Sequence, residues 1–155
     1  MLKGELVFFC GKMGSGKSTL ARETAAERKA VLISEDELLS QLFPDIIRSV
    51  SDYKRYSDLL KPVVSDLAQQ ILNKGVSVVL DFPANTPGQR HWLRRLSENT
   101  NAQHLCYFVD RTDEVCIQQL LQRGNPNTDS VEMFHAITAY FTPPGDDEGI
   151  NTVIV

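Results

Sequence analysis

The sequence has little of what marks several broad protein classes. It holds only three cysteines, Cys10, Cys106 and Cys116, odd in number and scattered without metal-ligand spacing. That excludes a disulfide framework and a cysteine zinc site, and fits reduced thiols in a cytosolic protein. It lacks an excess of positive charge: the formal net charge is -4, so nothing overall draws long nucleic acid or an anionic lipid surface to it. No apolar stretch approaches membrane-spanning length, and the run at residues 6–10 stops at Gly11 and Lys12, too soon for a secretory signal. No internal repeat, low-complexity tract or Gly/Ser/Pro-rich linker divides the chain. Its 155 residues suit one ordinary domain, so a single domain over residues 1–155 is expected.

What is present is an alternation of short apolar runs with helical patterns. Residues 5–10, 30–33, 76–80, 104–109 and 151–155 have the length and the β-branched or aromatic content of buried strands. Residues 17–29 read as helix. So do residues 52–74, with Tyr53, Tyr56, Leu60, Val63, Leu67 and Ile71 on one stripe and Gly75 where the helix should end. Pro62 interrupts that pattern, which predicts either a kink or a new helix start. Thr86-Pro87 reads as a cap and first helical residue, launching a helix to about Asn99, and another is expected over residues 112–123. Met133, Phe134, Ile137 and Phe141 form an apolar helical stripe that reads as core. Strands alternating with helices imply parallel pairing through right-handed crossovers, hence a three-layer α/β/α sandwich with its ligand site at the carboxyl ends of the strands.

The most specific signal is Gly11, Lys12, Met13, Gly14, Ser15, Gly16, Lys17 and Ser18, which fits G-x-x-x-x-G-K-[ST] between an expected strand and an expected helix. Glycines let the backbone wrap phosphate oxygens with its N–H groups turned inward, and the helix starting near Lys17 adds its positive end. Lys17 is expected to reach the outer phosphates and Ser18 to offer its hydroxyl to Mg²⁺. Thr19 is expected near the inner phosphate, which makes ATP with Mg²⁺ the expected ligand pair.

Acids and arginines follow at the same sheet edge. Ser34-Glu35-Asp36 comes after the second strand, where Asp36 can take the proton of an attacking hydroxyl. The competing reading makes this a helix cap with first-turn acids, and local sequence does not choose between Asp36 and Glu35 as base. Asp81 ends the third strand, placed to hold Mg²⁺ together with Ser18. Arg90 is expected to grip substrate, while Arg94 and Arg95 read equally well as a solvated cationic face. Arg123 precedes the polar stretch Gly124-Asn-Pro-Asn-Thr128 and suits a lid at about 124–133 that brings a charge-neutralising arginine to the phosphoryl group. A cation at a helix C-terminus is the equally weighted alternative. Asp146-Asp147-Glu148 reads as a solvated acidic turn, and His91, Trp92 and His104 as packing or surface residues.

Taken together, residues 10–19, Ser34-Glu-Asp36, Asp81 with Asn85 and Arg90, and Arg123-Gly124 resemble the small P-loop kinases related to zeta toxins, chloramphenicol phosphotransferase and polynucleotide kinase domains. The resemblance covers most of the chain. It extends to uncharacterised bacterial ATP-binding members through Asp81-Phe-Pro-Ala-Asn85 and Tyr140-Phe-Thr-Pro-Pro144. It implies the P-loop nucleoside triphosphate hydrolase fold, with a parallel five-stranded sheet in the order 2-3-1-4-5, a base at Asp36 and a lid arginine near Arg123. The expected function is ATP-dependent phosphorylation of a hydroxyl on a small molecule, sugar or nucleotide. The alternative is a nucleotide-responsive binding module or slow ATPase acting on a protein partner.

Overall fold

A computed structural model describes residues 3–125 and 129–155. The central strand β1 (Leu6–Cys10) is buried along its whole length. An uninterrupted Leu-Val-Phe-Phe-Cys run suits this place, because both faces of a parallel sheet are covered by helices. β1 pairs in parallel with β3 (Val78–Pro83) on one side and with β4 (His104–Phe108) on the other, with Leu6 opposite Val78 and His104. β2 (Val31–Ser34) lies outside β3, and β5 (Thr152–Ile154) outside β4. The order is therefore β2-β3-β1-β4-β5, the 2-3-1-4-5 arrangement of P-loop nucleoside triphosphate hydrolases.

Alternation along β1 divides the interior into two cores. Leu6, Phe8 and Cys10 face a layer that includes Leu60, Val64, Leu72, Leu93 and Leu96. These come from α3 (Val50–Asn73) and α4 (Pro87–Thr100). Val7 and Phe9 face Ala21 and Ala25 of α1 (Lys17–Arg28). A smaller cluster of Cys116, Leu120 and Phe134 joins α5 (Asp113–Arg123) to α6 (Val131–Thr138), with Met13 packed against it. Of the apolar stripe expected there, Phe134 is fully buried, Met133 and Ile137 are half-buried, and Phe141 lies beyond the helix and meets Phe108 at 6.1 Å.

Helix ends follow local chemistry. Thr86 accepts a hydrogen bond from the Gln89 N–H at 3.2 Å with Pro87 first in α4, and Thr112 and Ser130 cap α5 and α6 in the same way. Ser34 likewise caps α2 (Glu35–Leu42) by accepting from the Glu37 N–H at 3.4 Å. Pro62 neither ends nor starts a helix: α3 runs unbroken through it, with the proline ring on the exposed side. There the carbonyl that loses its N–H donor can turn to water.

One expectation about α3 is corrected. Its buried side is Ser57, Leu60, Val64, Ala68 and Leu72; of the expected stripe, Leu60 is buried and Tyr53, Tyr56 and Ile71 pack against the core, whereas Val63 and Leu67 are 60% and 49% exposed. Ala68 is fully buried in the core, and Ser57 donates to Glu35 of α2 at 2.7 Å, so small and polar residues share the buried side with the larger apolar ones.

Candidate functional site

β1 delivers the chain into a turn at its carboxyl end, and the turn is shaped by positions that only glycine fills. Gly14 has φ of 79° and lies so close to α5 that a Cβ would collide with the carbonyl oxygen of Cys116. Gly16, with φ of 99°, is the residue from which α1 begins. The left-handed conformation at both turns the chain sharply and aims α1 at the concavity. Within the loop the Ser15 Oγ is buried with no partner among the described residues, a donor placed where an anion's oxygens would be received. The Lys17 ammonium folds over the loop and donates to the carbonyls of Gly11 and, at 3.1 Å, Lys12.

Charges from three strand ends converge here. Burial pushes Lys17 below the usual lysine pKa, and the Asp81 and Asp36 carboxylates act against that fall. Burial also raises Asp81. Its hydrogen bond with Ser18 and the Lys17 charge oppose the rise, while Asp36 adds to it. Asp36 is exposed in the first turn of α2, and its charge also favours protonated Arg123. The structure therefore brings Lys17, Ser18, Asp81, Asp36 and Arg123 into one electrostatic neighbourhood. Thr19 is exposed and accepts from Arg22 at 3.4 Å. Lys12 pairs with Asp113 at 2.6 Å and lies 5.7 Å from the centre of the Phe141 ring. Met13 packs into the α5–α6 cluster.

Glu35 and Asp36, adjacent in sequence, part company. Glu35 is buried beneath α2, where it accepts hydrogen bonds from the Tyr53 hydroxyl and, at 2.7 Å, from Ser57. Burial pushes its pKa up to about 7 even though both hydroxyls act to lower it. Only Asp36 faces solvent at the sheet edge.

Arg90 does not have the substrate-facing position expected of it. Its side chain has no exposed surface. Nε and Nη2 donate to Glu148 at 2.8 and 3.0 Å, and Nη1 donates to the carbonyls of Ala84 and Thr142 at 2.9 and 2.8 Å. Nη2 also reaches the carbonyl of Pro143 at 3.3 Å. A guanidinium has no further donors to give a ligand once it is held this way. Glu148, read as part of a solvated turn, is its counter-ion and also accepts from the Gly145 N–H at 2.6 Å. Nothing local signals the pair, because the two residues are 58 positions apart.

Asn85 matters more directly to the loop. Its Oδ1 accepts from the Gly11 N–H at 2.9 Å, and its carbonyl accepts from the Thr142 N–H at 2.8 Å. The end of β3 thereby fastens both the glycine loop and the 141–145 segment. Arg123 forms a two-pronged ion pair with Asp129, at 2.7 Å from Nε and 2.6 Å from Nη2. Within the lid expected at 124–133, residues 126–128 lie outside the described residues.

The AAA domain family matches residues 6–144. An uncharacterized protein of Mycobacterium tuberculosis strain H37Rv is 29% identical over 143 residues, a match that covers 83% of this chain and 28% of that protein. The chain thus spans little more than a quarter of the length of the curated relatives it matches. A putative kinase from Chloroflexus aurantiacus superposes with a TM-score of 0.79 at 17% identity, over 100% of this chain and 86% of its own. The APS kinase of Mycobacterium tuberculosis, in complex with AMPPNP and APS, gives 0.63 at 20% identity, over 99% and 90%. At these identities the shared property is the fold, which is that of a small P-loop kinase-like protein.

Proposed function

The chain belongs to the AAA domain family, and from that premise we propose that it binds ATP with Mg²⁺ and transfers the terminal phosphoryl group to a hydroxyl of a small molecule, sugar or nucleotide. The observation that carries this reading is the meeting of Asp36, Lys17 and Asp81 beside a loop whose Ser15 hydroxyl lacks a partner among the described residues.

In this reading the amides of residues 11–19 receive the phosphates, and Lys17 gives up its loop carbonyls for phosphate oxygens. A hydroxyl and a carboxylate, Ser18 and Asp81, form a donor set suited to a hard oxygen-seeking cation. Mg²⁺ held there would supply positive charge against the phosphates. Asp36 receives the acceptor's proton as the acceptor oxygen bonds to the terminal phosphorus and the bond to the ADP oxygen breaks. The products are ADP and a phosphate ester. Arg123 is proposed to exchange Asp129 for the transferring group, with 124–133 as a lid on a single 1–155 unit.

The test separates binding from transfer. Asp36→Asn should bind Mg-ATP as the wild type does while transfer to a responsive acceptor drops by about 10²–10⁴-fold. Full transfer activity in that variant would remove Asp36 as the base. Absence of Mg-ATP binding by the wild type would remove the whole proposal.

A further inference from the structure

Ser34-Glu35-Asp36 carries two acids, and the proposed reaction uses only Asp36. Glu35 is 2% exposed, and its carboxylate is shared between two hydroxyls of α3: Tyr53 donates to Oε1, and Ser57 donates to Oε2 at 2.7 Å. Tyr53 and Ser57 stand one helical turn apart, so they grip the carboxylate from a single face of α3. Packing alone gives no reason for a carboxylate here. Desolvation pushes its pKa up to about 7, and an apolar side chain of similar volume would fill the place without that cost. The cap of α2 is supplied separately by Ser34.

What the carboxylate adds is direction. α2 has eight residues, and its buried positions are Glu35 and Leu39, four apart on one side. Leu39 seats the helix in the core, but apolar contacts are non-directional and leave it free to roll. Two hydrogen bonds from α3 at the first turn remove that freedom. Asp36 is the next residue, about 100° round the helix from Glu35, so its direction follows from the hold on Glu35.

We propose that Glu35, held by Tyr53 and Ser57, is a positioning residue for the base: it locks the first turn of α2 so that Asp36 is presented to the acceptor's hydroxyl at the sheet edge. This inference rests on the reading of Asp36 as that base. Glu35 touches no reacting atom, because it is enclosed between α2 and α3, and the acceptor's proton passes to Asp36 alone. The phosphate loop belongs to β1 and α1, so loosening the hold on α2 should spare nucleotide binding and remove only what depends on the aim of Asp36. That dependence is steep, since a base must lie within hydrogen-bond reach of the proton it takes.

The test exchanges the polar hold for apolar groups of similar shape. Glu35→Leu, Tyr53→Phe and Ser57→Ala, combined in one chain, remove donors and acceptor together, so a circular dichroism melt should stay close to that of the wild type. Calorimetry then compares Mg-ADP alone with Mg-ADP plus aluminium fluoride, where a water takes the acceptor's place and offers its proton to Asp36. The triple variant should bind Mg-ADP as the wild type does, and lose at least about tenfold of the affinity that aluminium fluoride adds in the wild type. Glu35→Gln, whose amide can accept from Tyr53 and donate to Ser57, should keep most of that gain. Tyr53→Phe alone should lose an intermediate share, and carries the test if the triple variant melts far below the wild type. A folded triple variant with the full gain overturns the proposal, as does a Glu35→Gln protein that loses as much as the triple variant. Asp36→Ala separates this outcome from failure of the reading beneath it. If Asp36→Ala loses the gain while the triple variant keeps it, Asp36 stands as the base and Glu35 does not position it. If Asp36→Ala keeps the gain, or the wild type shows none, the assignment of the base fails and this inference falls with it.

Discussion

Arg90 and Glu148 form a two-pronged ion pair, 2.8 Å from Nε to Oε1 and 3.0 Å from Nη2 to Oε2, around a guanidinium with no exposed surface. The pair ties α4 to the turn that precedes β5. Because Nη1 also holds the carbonyls of Ala84 and Thr142, the guanidinium joins three segments of chain. Arg90→Ala leaves a carboxylate and these carbonyls without their donor, and should cost about 3–5 kcal/mol in urea denaturation. The hydrogen bond from Arg90 holds Glu148 below the usual glutamate pKa. An acid with a depressed folded-state pKa contributes stability above its ordinary value and loses it as pH falls through the folded value. The wild type should therefore lose stability more steeply than Glu148→Gln as pH drops below the ordinary glutamate range.

Asn85 connects this clamp to the phosphate loop. Its Oδ1 accepts from the Gly11 N–H at 2.9 Å in a part-buried setting. Asn85→Ala should cost about 1–2 kcal/mol of stability. It should also weaken Mg-nucleotide binding, since a loosened Gly11 no longer presets the loop. Calorimetry on Asn85→Ala and Asn85→Asp distinguishes the two effects. An aspartate keeps the acceptor but places a negative charge beside the loop, so Asn85→Asp should retain stability better than Asn85→Ala and lose binding more.

The loop itself was legible because its information is local: spacing, glycines and a strand-to-helix context all fall within ten residues. β1 was legible for a related reason, since a strand buried on both faces must be apolar throughout. The rotation of α3 was not. Sequence pattern weights large apolar residues, whereas the buried side of α3 takes in the small Ser57 and Ala68 and leaves Val63 and Leu67 outside. Arg90 was misplaced because its partner comes from a distant turn. Glu35 and Asp36 are chemically alike and adjacent, and only the position of α3, with Tyr53 and Ser57, decides which of them is buried.

Glu35 gives that burial a measurable signature. Its pKa is raised to about 7, first by desolvation, so the folded protein binds a proton that the unfolded chain has released above about 4.5. Stability from this group then falls as pH rises from about 4.5 to 7 and levels off above. Glu35→Gln should abolish that slope and be more stable than the wild type at pH 8, provided the amide keeps the Tyr53 and Ser57 hydrogen bonds. Tyr53→Phe should shift the wild-type transition to higher pH, because the Tyr53 hydrogen bond lowers the Glu35 pKa. Denaturation midpoints across pH 4 to 9 read all three proteins.

Lys17 supplies the sharpest check on the nucleotide reading. In the structure its ammonium rests on the carbonyls of Gly11 and Lys12, contacts that neutralise no charge and are readily exchanged for phosphate oxygens. Desolvation lowers its pKa, and an arriving polyphosphate would reverse that shift by adding negative charge beside the ammonium. A ligand at 100 times its Kd stabilises the folded state by about 2.7 kcal/mol, so Mg-ATP should raise the wild-type melting temperature by several degrees. Lys17→Met keeps the length and the apolar stem of the side chain but not the charge, and should melt close to the wild type without ligand while losing most of the Mg-ATP shift. An undiminished shift would mean that the nucleotide, if bound, lies elsewhere than on this loop.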